Sequence, residues 1–262
     1  MRKAYNNDIL DILNFLKDNI SDCIYMYIDI AKYGVNSTNI SVWLDDTKGC
    51  IKTVVMSYYD SLQIYSNNLT EDIEWIIALI RKQEYSMVSG NKETISDLGV
   101  YLQDYYNSEF GGVYQVTKYR LFETNGMIEN AKYDDMREIA ELICSDPAFC
   151  TNYQVDILEK QLQNRLQNRL GRNLIIKEQG QIVAHIATYA EYEDIVVTSG
   201  LIVRSDCRKK MYGLLIESYL VNKLLEENKK IYTFILDEKR AALLNAMGAH
   251  KCAEYGKLTK RL

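Results

Sequence analysis

Three consecutive cations, Arg208, Lys209 and Lys210, are followed by Met211, Tyr212 and Gly213, and this hexapeptide lies between the apolar run Leu201-Ile202-Val203 and a helical pattern from Gly213 to Glu227. A strand that stops at a basic turn before a helix leaves the first helical amides without partners. Those amides, the helix dipole and the cationic side chains together attract phosphate or diphosphate. Gly213 has no Cβ to hold such a group off the backbone. Taken alone, the same turn also reads as a solvated surface segment. The Gly-Lys-Ser/Thr ending of a P-loop and the Gly-x-Gly-x-x-Gly fingerprint are both absent, so an unrelated nucleotide-binding domain ranks last.

Proton transfer needs a base or acid near the reacting group. The candidates are Glu191, Glu193 and Asp194 in the cluster Glu191-Tyr192-Glu193-Asp194, and His185 in an apolar strand pattern. Each has a plainer reading: the cluster as a solvated acidic turn, or as a lure for a cationic substrate, and His185 as a satisfied core residue. Tyr212 and Tyr189 are the phenols that could serve as an acid. The six cysteines lie far apart with no Cys-x-x-Cys pair and two histidines to assist them, which points to reduced thiols and no metal site.

The elements that must position these groups follow from hydrophobic period and turn residues. Residues 3–19 read as an amphipathic helix and Cys23–Ile30 as a strand. The Asp45–Gly49 turn joins two strands of a hairpin. A helix capped by Thr70 runs to about Lys82, then come the strand 85–89, a helix over 92–106 and a strand over 112–121. Asn125-Gly126 punctuates the chain and divides it into domains 1–125 and 126–262. The second opens with helices near 134–144 and 154–170, the latter with Leu162, Leu166 and Leu170 on one stripe. Strands 173–179, 181–191 and 195–203, the helix 213–227, the strand 231–236, a helix near 239–247 and a strand near 251–258 complete it. The order predicts an α/β (α+β) fold with a mixed central sheet flanked by helices.

From Asn173 to Leu258 this order resembles the GNAT acetyltransferases. Arg208-Lys209-Lys210-Met211-Tyr212-Gly213 is similar to the family's Arg/Gln-x-x-Gly-x-Gly/Ala loop, with Met211 at the first glycine, and Gly248 and Leu243 match a later family segment. The resemblance implies an N-acetyltransferase with acetyl-CoA as cosubstrate and an amine-bearing acceptor as partner. It implies that the backbone of Leu201, Ile202 and Val203 meets the pantetheine arm, and that Arg208, Lys209, Lys210, Met211, Tyr212 and Gly213 hold the diphosphate. By register it points to Glu193 or Asp194 as base. Asp237 stands where the family has a cofactor-side Asn, and Leu244 where a tyrosine protonates the departing thiolate. The N-terminal half has a similar rhythm without a basic glycine loop and reads as a degenerate second copy, with Trp43, Tyr58, Tyr59 and Tyr65 as a wall of the acceptor pocket or as sheet packing.

The net charge of −5 argues against nucleic acid as a partner, and no apolar run approaches the length of a membrane span. The polar, acidic turn after the first residues lacks the apolar centre of a secretory signal, which suggests a cytoplasmic chain. A noncatalytic acyl-CoA-binding or protein-interaction module is the alternative, motivated by Met211 and Leu244.

Overall fold

The structure, a computed structural model, describes residues 1–67, 69, 72–123, 126–147 and 153–261, with Lys48 by its backbone alone. The chain divides into two compact units. Unit 1 comprises Met1–Val113, Phe234–Ala241 and Lys251–Leu262, and unit 2 comprises Tyr114–Thr233 and Ala242–His250. The sequence expectation had placed 126–262 together; here Lys251–Leu262 groups with the N-terminal unit.

Unit 1 runs β1 (Arg2–Lys3), α1 (Ile9–Lys17), α2 (Ile20–Tyr33), β2 (Asn36–Ser37), β3 (Ile40–Asp45), β4 (Thr53–Tyr58), β5 (Ser61–Ser66), α3 (Ile73–Gln83), β6 (Met87–Asn91), α4 (Lys92–Leu102) and the long strand β7 (Tyr106–Val116), whose residues to Val113 belong here. The hairpin expected around Asp45–Gly49 is β3–β4, in register from Ile40↔Tyr58 to Asp45↔Thr53. β5 and β6 pair in parallel, connected through α3, as a crossover connection requires. Val55, Leu62, Ile64, Ile76, Ile80, Val88, Ile95, Leu98 and Leu258 close one core between the sheet, α3 and α4. The Thr70 cap and Asn125 lie outside the described residues.

Cys23–Ile30, expected as a strand, lies inside helix α2. The reason is burial on nearly every side: Cys23, Ile24 and Met26 through Ile30 are all buried, so no polar face marks a helical period. Tertiary packing overrode the β propensity of Ile and Tyr.

Unit 2 runs from the end of β7 through β8 (Ile128–Asn130), α5 (Met136–Cys144), α6 (Val155–Gln167), β9 (Asn173–Glu178), β10 (Gln181–Tyr192), β11 (Ile195–Val203) and α7 (Tyr212–Glu226) into β12 (Lys230–Ile235) as far as Thr233, and resumes at Ala242 within α8 (Glu238–Met247) to take in the start of β13 (Ala249–Lys260). Its sheet order is β12-β11-β10-β9-β8, antiparallel except for the parallel pair β11–β12 that flanks α7. Met136, Ile139, Ala140, Ile143, Leu158 and Leu162 pack α5 and α6 onto Ile175, Ile182 and Ile202. Of the expected leucine stripe, Leu162 is buried and Leu166 packs half-buried against the same core, while Leu170 lies beyond the end of α6. Truncating such a residue to Ala costs about 2–5 kcal/mol. The last strand leaves this unit after His250, and farther along it β13 pairs antiparallel with β6 from Tyr255↔Asn91 to Thr259↔Met87.

Candidate functional site

The basic turn has the geometry of an anion cradle. β11 pairs in parallel with β12 from Ile195↔Lys230 to Thr198↔Thr233 and continues to Val203. A 3-10 turn, Ser205–Lys210, follows, and Met211 reverses the chain in the left-handed region (φ 60°, ψ 13°) as the N-cap of α7. No side chain caps that helix, so its first amides stay available to a ligand. At Gly213 a Cβ would make one contact within 4 Å outside the helix's own backbone, to Val203 Cγ2 at 3.4 Å, so no other side chain crowds that position. Met211 occupies the conformation that a glycine adopts freely; for a side-chain-bearing residue it costs roughly 1–2 kcal/mol.

The cations around the turn are already engaged. Lys210 Nζ lies 2.7 Å from both carboxylate oxygens of Glu178, and the Tyr212 hydroxyl donates to the same carboxylate. The hydrogen bond from Lys210, seconded by Tyr212, holds the Glu178 carboxyl below the usual range, and Glu178 in turn raises both partners. Arg208 Nη2 donates to Asp146 at 2.6 Å, and Arg204 pairs with Asp206. Lys209 is exposed and makes no ion pair among the described residues.

Upstream of the turn, β11 is bulged. Between the pairs Ala187↔Ser199 and His185↔Ile202, β10 advances by one residue fewer than β11, and the extra residue sits next to Gly200, whose φ is +67°. Only glycine is comfortable there, since a Cβ would meet the Tyr189 hydroxyl at 2.7 Å and His185 Cε1 at 3.2 Å. His185 is fully buried, its Nδ1 2.9 Å from the Gly200 carbonyl oxygen and its Nε2 3.0 Å from Asn173 Oδ1. Desolvation pushes its pKa down to about 4, so the ring is neutral at ordinary pH. Both contacts are to oxygens and a neutral ring donates from one nitrogen only, so donation from Nδ1 to the Gly200 carbonyl requires the Asn173 amide to be turned with its NH2 toward Nε2.

The acidic cluster is elsewhere. Glu193 and Asp194 form the tight turn between β10 and β11, with Glu193 at φ 51°. Lys229 Nζ donates to the Glu193 carbonyl at 2.6 Å, and Asp194 pairs with Lys230 at 2.8 Å, which lowers its pKa. At about 3.3 Å per residue, these residues stand on the order of 20 Å along β11 from Gly200, at the end opposite the basic turn. Glu191 is held by Arg172 at 3.0 Å and by Thr188, and Arg172 also binds Glu227 at 2.6 Å. Asp237 accepts the Arg240 amide at 2.7 Å and so caps α8, while Leu244 is buried at the tyrosine position. Leu201, Ile202, Val203, Arg208, Lys209, Lys210, Met211, Tyr212 and Gly213 fall along one continuous strand–turn–helix; Glu193 and Asp194 do not join them.

Sequence reasoning passed over Asn173, Glu178 and Gly200. Glu178 carried a readable signal, since a carboxylate at the end of a strand beside a basic turn invites pairing. A second omission is the segment after β7. Tyr119 donates to the buried Glu217 of α7 at 2.5 Å, Ser218 Oγ donates to the Arg120 carbonyl at 2.9 Å, and the Phe122 amide donates to Ser218 Oγ at 3.0 Å. These contacts tie 119–122 to the helix that carries the cradle.

No family model matches the chain, and no curated protein matches it. Solved structures do. A Drosophila protein superposes with TM-score 0.70 at 12% identity over 99% of this chain and 98% of its own. A tandem GNAT protein from the clavulanic acid biosynthesis pathway gives 0.62 at 8% identity over 99% and 97%. A GCN5-related N-acetyltransferase from Sphaerobacter thermophilus gives 0.62 at 13% over 99% and 94%. The fold is that of the GCN5-related N-acetyltransferases. A mixed central sheet flanked by helices, expected from element order, is the sheet found, and the match to a tandem GNAT protein runs the length of the chain.

Proposed function

We propose that this protein is an acyltransferase that uses acetyl-CoA to acetylate an amine. The observation that supports this reading most is the β11–turn–α7 segment, where a strand that continues past its pairing with β12 at Thr198 leads into a helix N-terminus that Met211 does not cap, with Val203 Cγ2 the single contact a Cβ at Gly213 would make within 4 Å. These residues fit a diphosphate: amides without partners, a helix dipole and cations at Arg208, Lys209 and Lys210. Leu201, Ile202 and Val203 present their backbone to the pantetheine arm. Bound acetyl-CoA supplies a thioester carbonyl open to attack by an amine. The chain's own residues hold the diphosphate, align the acyl group against the bulge at Gly200 and keep that environment dry.

A proton donor for the departing thiolate is also needed, and Leu244 cannot supply one. Tyr189 fills that role in this reading, because its hydroxyl abuts the backbone of Gly200, whereas the Tyr212 hydroxyl is committed to Glu178. A base role for Glu193 or Asp194 requires an acceptor or water relay reaching from the bulge to the hairpin turn. The buried Leu244 favours the second reading, a noncatalytic acyl-CoA-binding module.

Calorimetric titration with acetyl-CoA, using ATP and NAD as controls, tests the cosubstrate, and thiol release over a panel of amines tests turnover. Selective binding with thiol release supports the enzyme. Selective binding with no release over a broad panel supports the module, and no binding removes both.

A further inference from the structure

We propose that His185 and Asn173 are positioning residues that aim the amide of Leu201 at the acyl carbonyl, an inference that rests on the acetyl-CoA reading above. The peptide between Gly200 and Leu201 is planar and trans, so its C=O and N–H point in opposite directions. His185 Nδ1 grips that C=O at 2.9 Å, which turns the Leu201 N–H away from the imidazole. The grip is itself fixed. The side-chain amide of Asn173, buried on β9, reaches Nε2 with Oδ1 at 3.0 Å and, turned end for end, donates to it from NH2 when Nδ1 donates to Gly200, so β9, β10 and β11 are linked through one ring. Gly200 at φ +67° permits the bulge, and the Tyr189 hydroxyl and His185 Cε1 fill the volume a Cβ would take, which leaves the peptide little freedom to rotate.

Burying a fully satisfied imidazole gains little over an apolar side chain. What the imidazole adds here is direction. A bulge without it would let the 200–201 peptide rock, and an oxyanion donor works only if it is oriented before charge develops. His185 therefore touches no substrate and moves no proton.

Two measurements test this. The first needs no ligand: with two histidines in the chain, the 15N spectrum should show His185 as the neutral Nδ1–H tautomer from pH about 5 to 8, and an Nε2–H tautomer would overturn the strut. The second is isotope-edited infrared difference spectroscopy of acetyl-CoA labelled with 13C at the carbonyl. The bound band of the wild-type protein should shift to lower frequency. His185→Leu should lose most of that shift and slow acyl transfer to the amine panel about 100-fold, with acetyl-CoA affinity within about threefold; His185→Gln, which retains a donor, should recover part of both. Asn173→Leu serves if His185→Leu does not fold. An unchanged band in the folded variants, or an unshifted band in the wild type, refutes the positioning role. Failure of the wild type to bind acetyl-CoA at all sinks the functional reading instead, and the positioning role with it.

Discussion

Lys210 Nζ lies 2.7 Å from each carboxylate oxygen of Glu178, so the cation nearest the start of α7 is paired before any anion arrives. A diphosphate must share Lys210 with Glu178 or displace it. Glu178→Gln should therefore tighten acetyl-CoA binding by roughly two- to fivefold at low salt, with the gain shrinking as salt screens the site. Titration calorimetry at two ionic strengths checks it, and equal affinity at low salt would show that Lys210 stays outside the cradle.

Gly213→Glu places bulk and negative charge at the first turn of α7. With only Val203 Cγ2 near the new Cβ, the fold should survive while acetyl-CoA affinity drops at least about 100-fold. Circular dichroism and titration of the same sample decide it; a folded variant with native affinity would remove the turn from cosubstrate binding.

His185 makes stability depend on pH in a defined window. Its folded pKa, about 4, lies below the ordinary histidine value of about 6.5, so below that value the unfolded chain binds the extra proton. The contribution is fully present above pH 6.5, falls as pH drops toward 4, and amounts to roughly 3 kcal/mol over the window. Urea unfolding at pH 7 and pH 5 should show wild type losing about 2 kcal/mol from this group, a loss that His185→Gln lacks. Parallel pH dependence in both proteins would contradict the burial of this imidazole.

Tyr119→Phe removes one hydrogen-bond donor from the buried Glu217 carboxylate. We expect a loss of about 1–3 kcal/mol in urea unfolding. A change under about half a kcal/mol would mean that the carboxylate satisfies itself without the phenol.

Much of unit 2 was legible because its elements obey one period at a time. β10 and β11 are near-continuous apolar runs closed by turn residues, and α7 begins where the basic turn ends. α2 was not legible, because a helix buried on nearly all sides shows no period to read. The basic turn could be found from local charge and glycine, but the grip of His185 on Gly200 joins residues fifteen apart on neighbouring strands, and only the bulged register brings them together. Glu193 and Asp194 show the same limit. Their acidity was visible, while their position at the far end of β11 follows from where the hairpin turns.

The pairing of β13 with β6 has a consequence for the order of assembly. A ribosome releases Met1–Val113 long before Lys251–Lys260, and until that strand emerges one side of β6 has its backbone groups open to water or to foreign strands. The first unit to be synthesised is thus the last whose sheet can be finished, and the nascent chain must shelter that edge while the second unit is still being made.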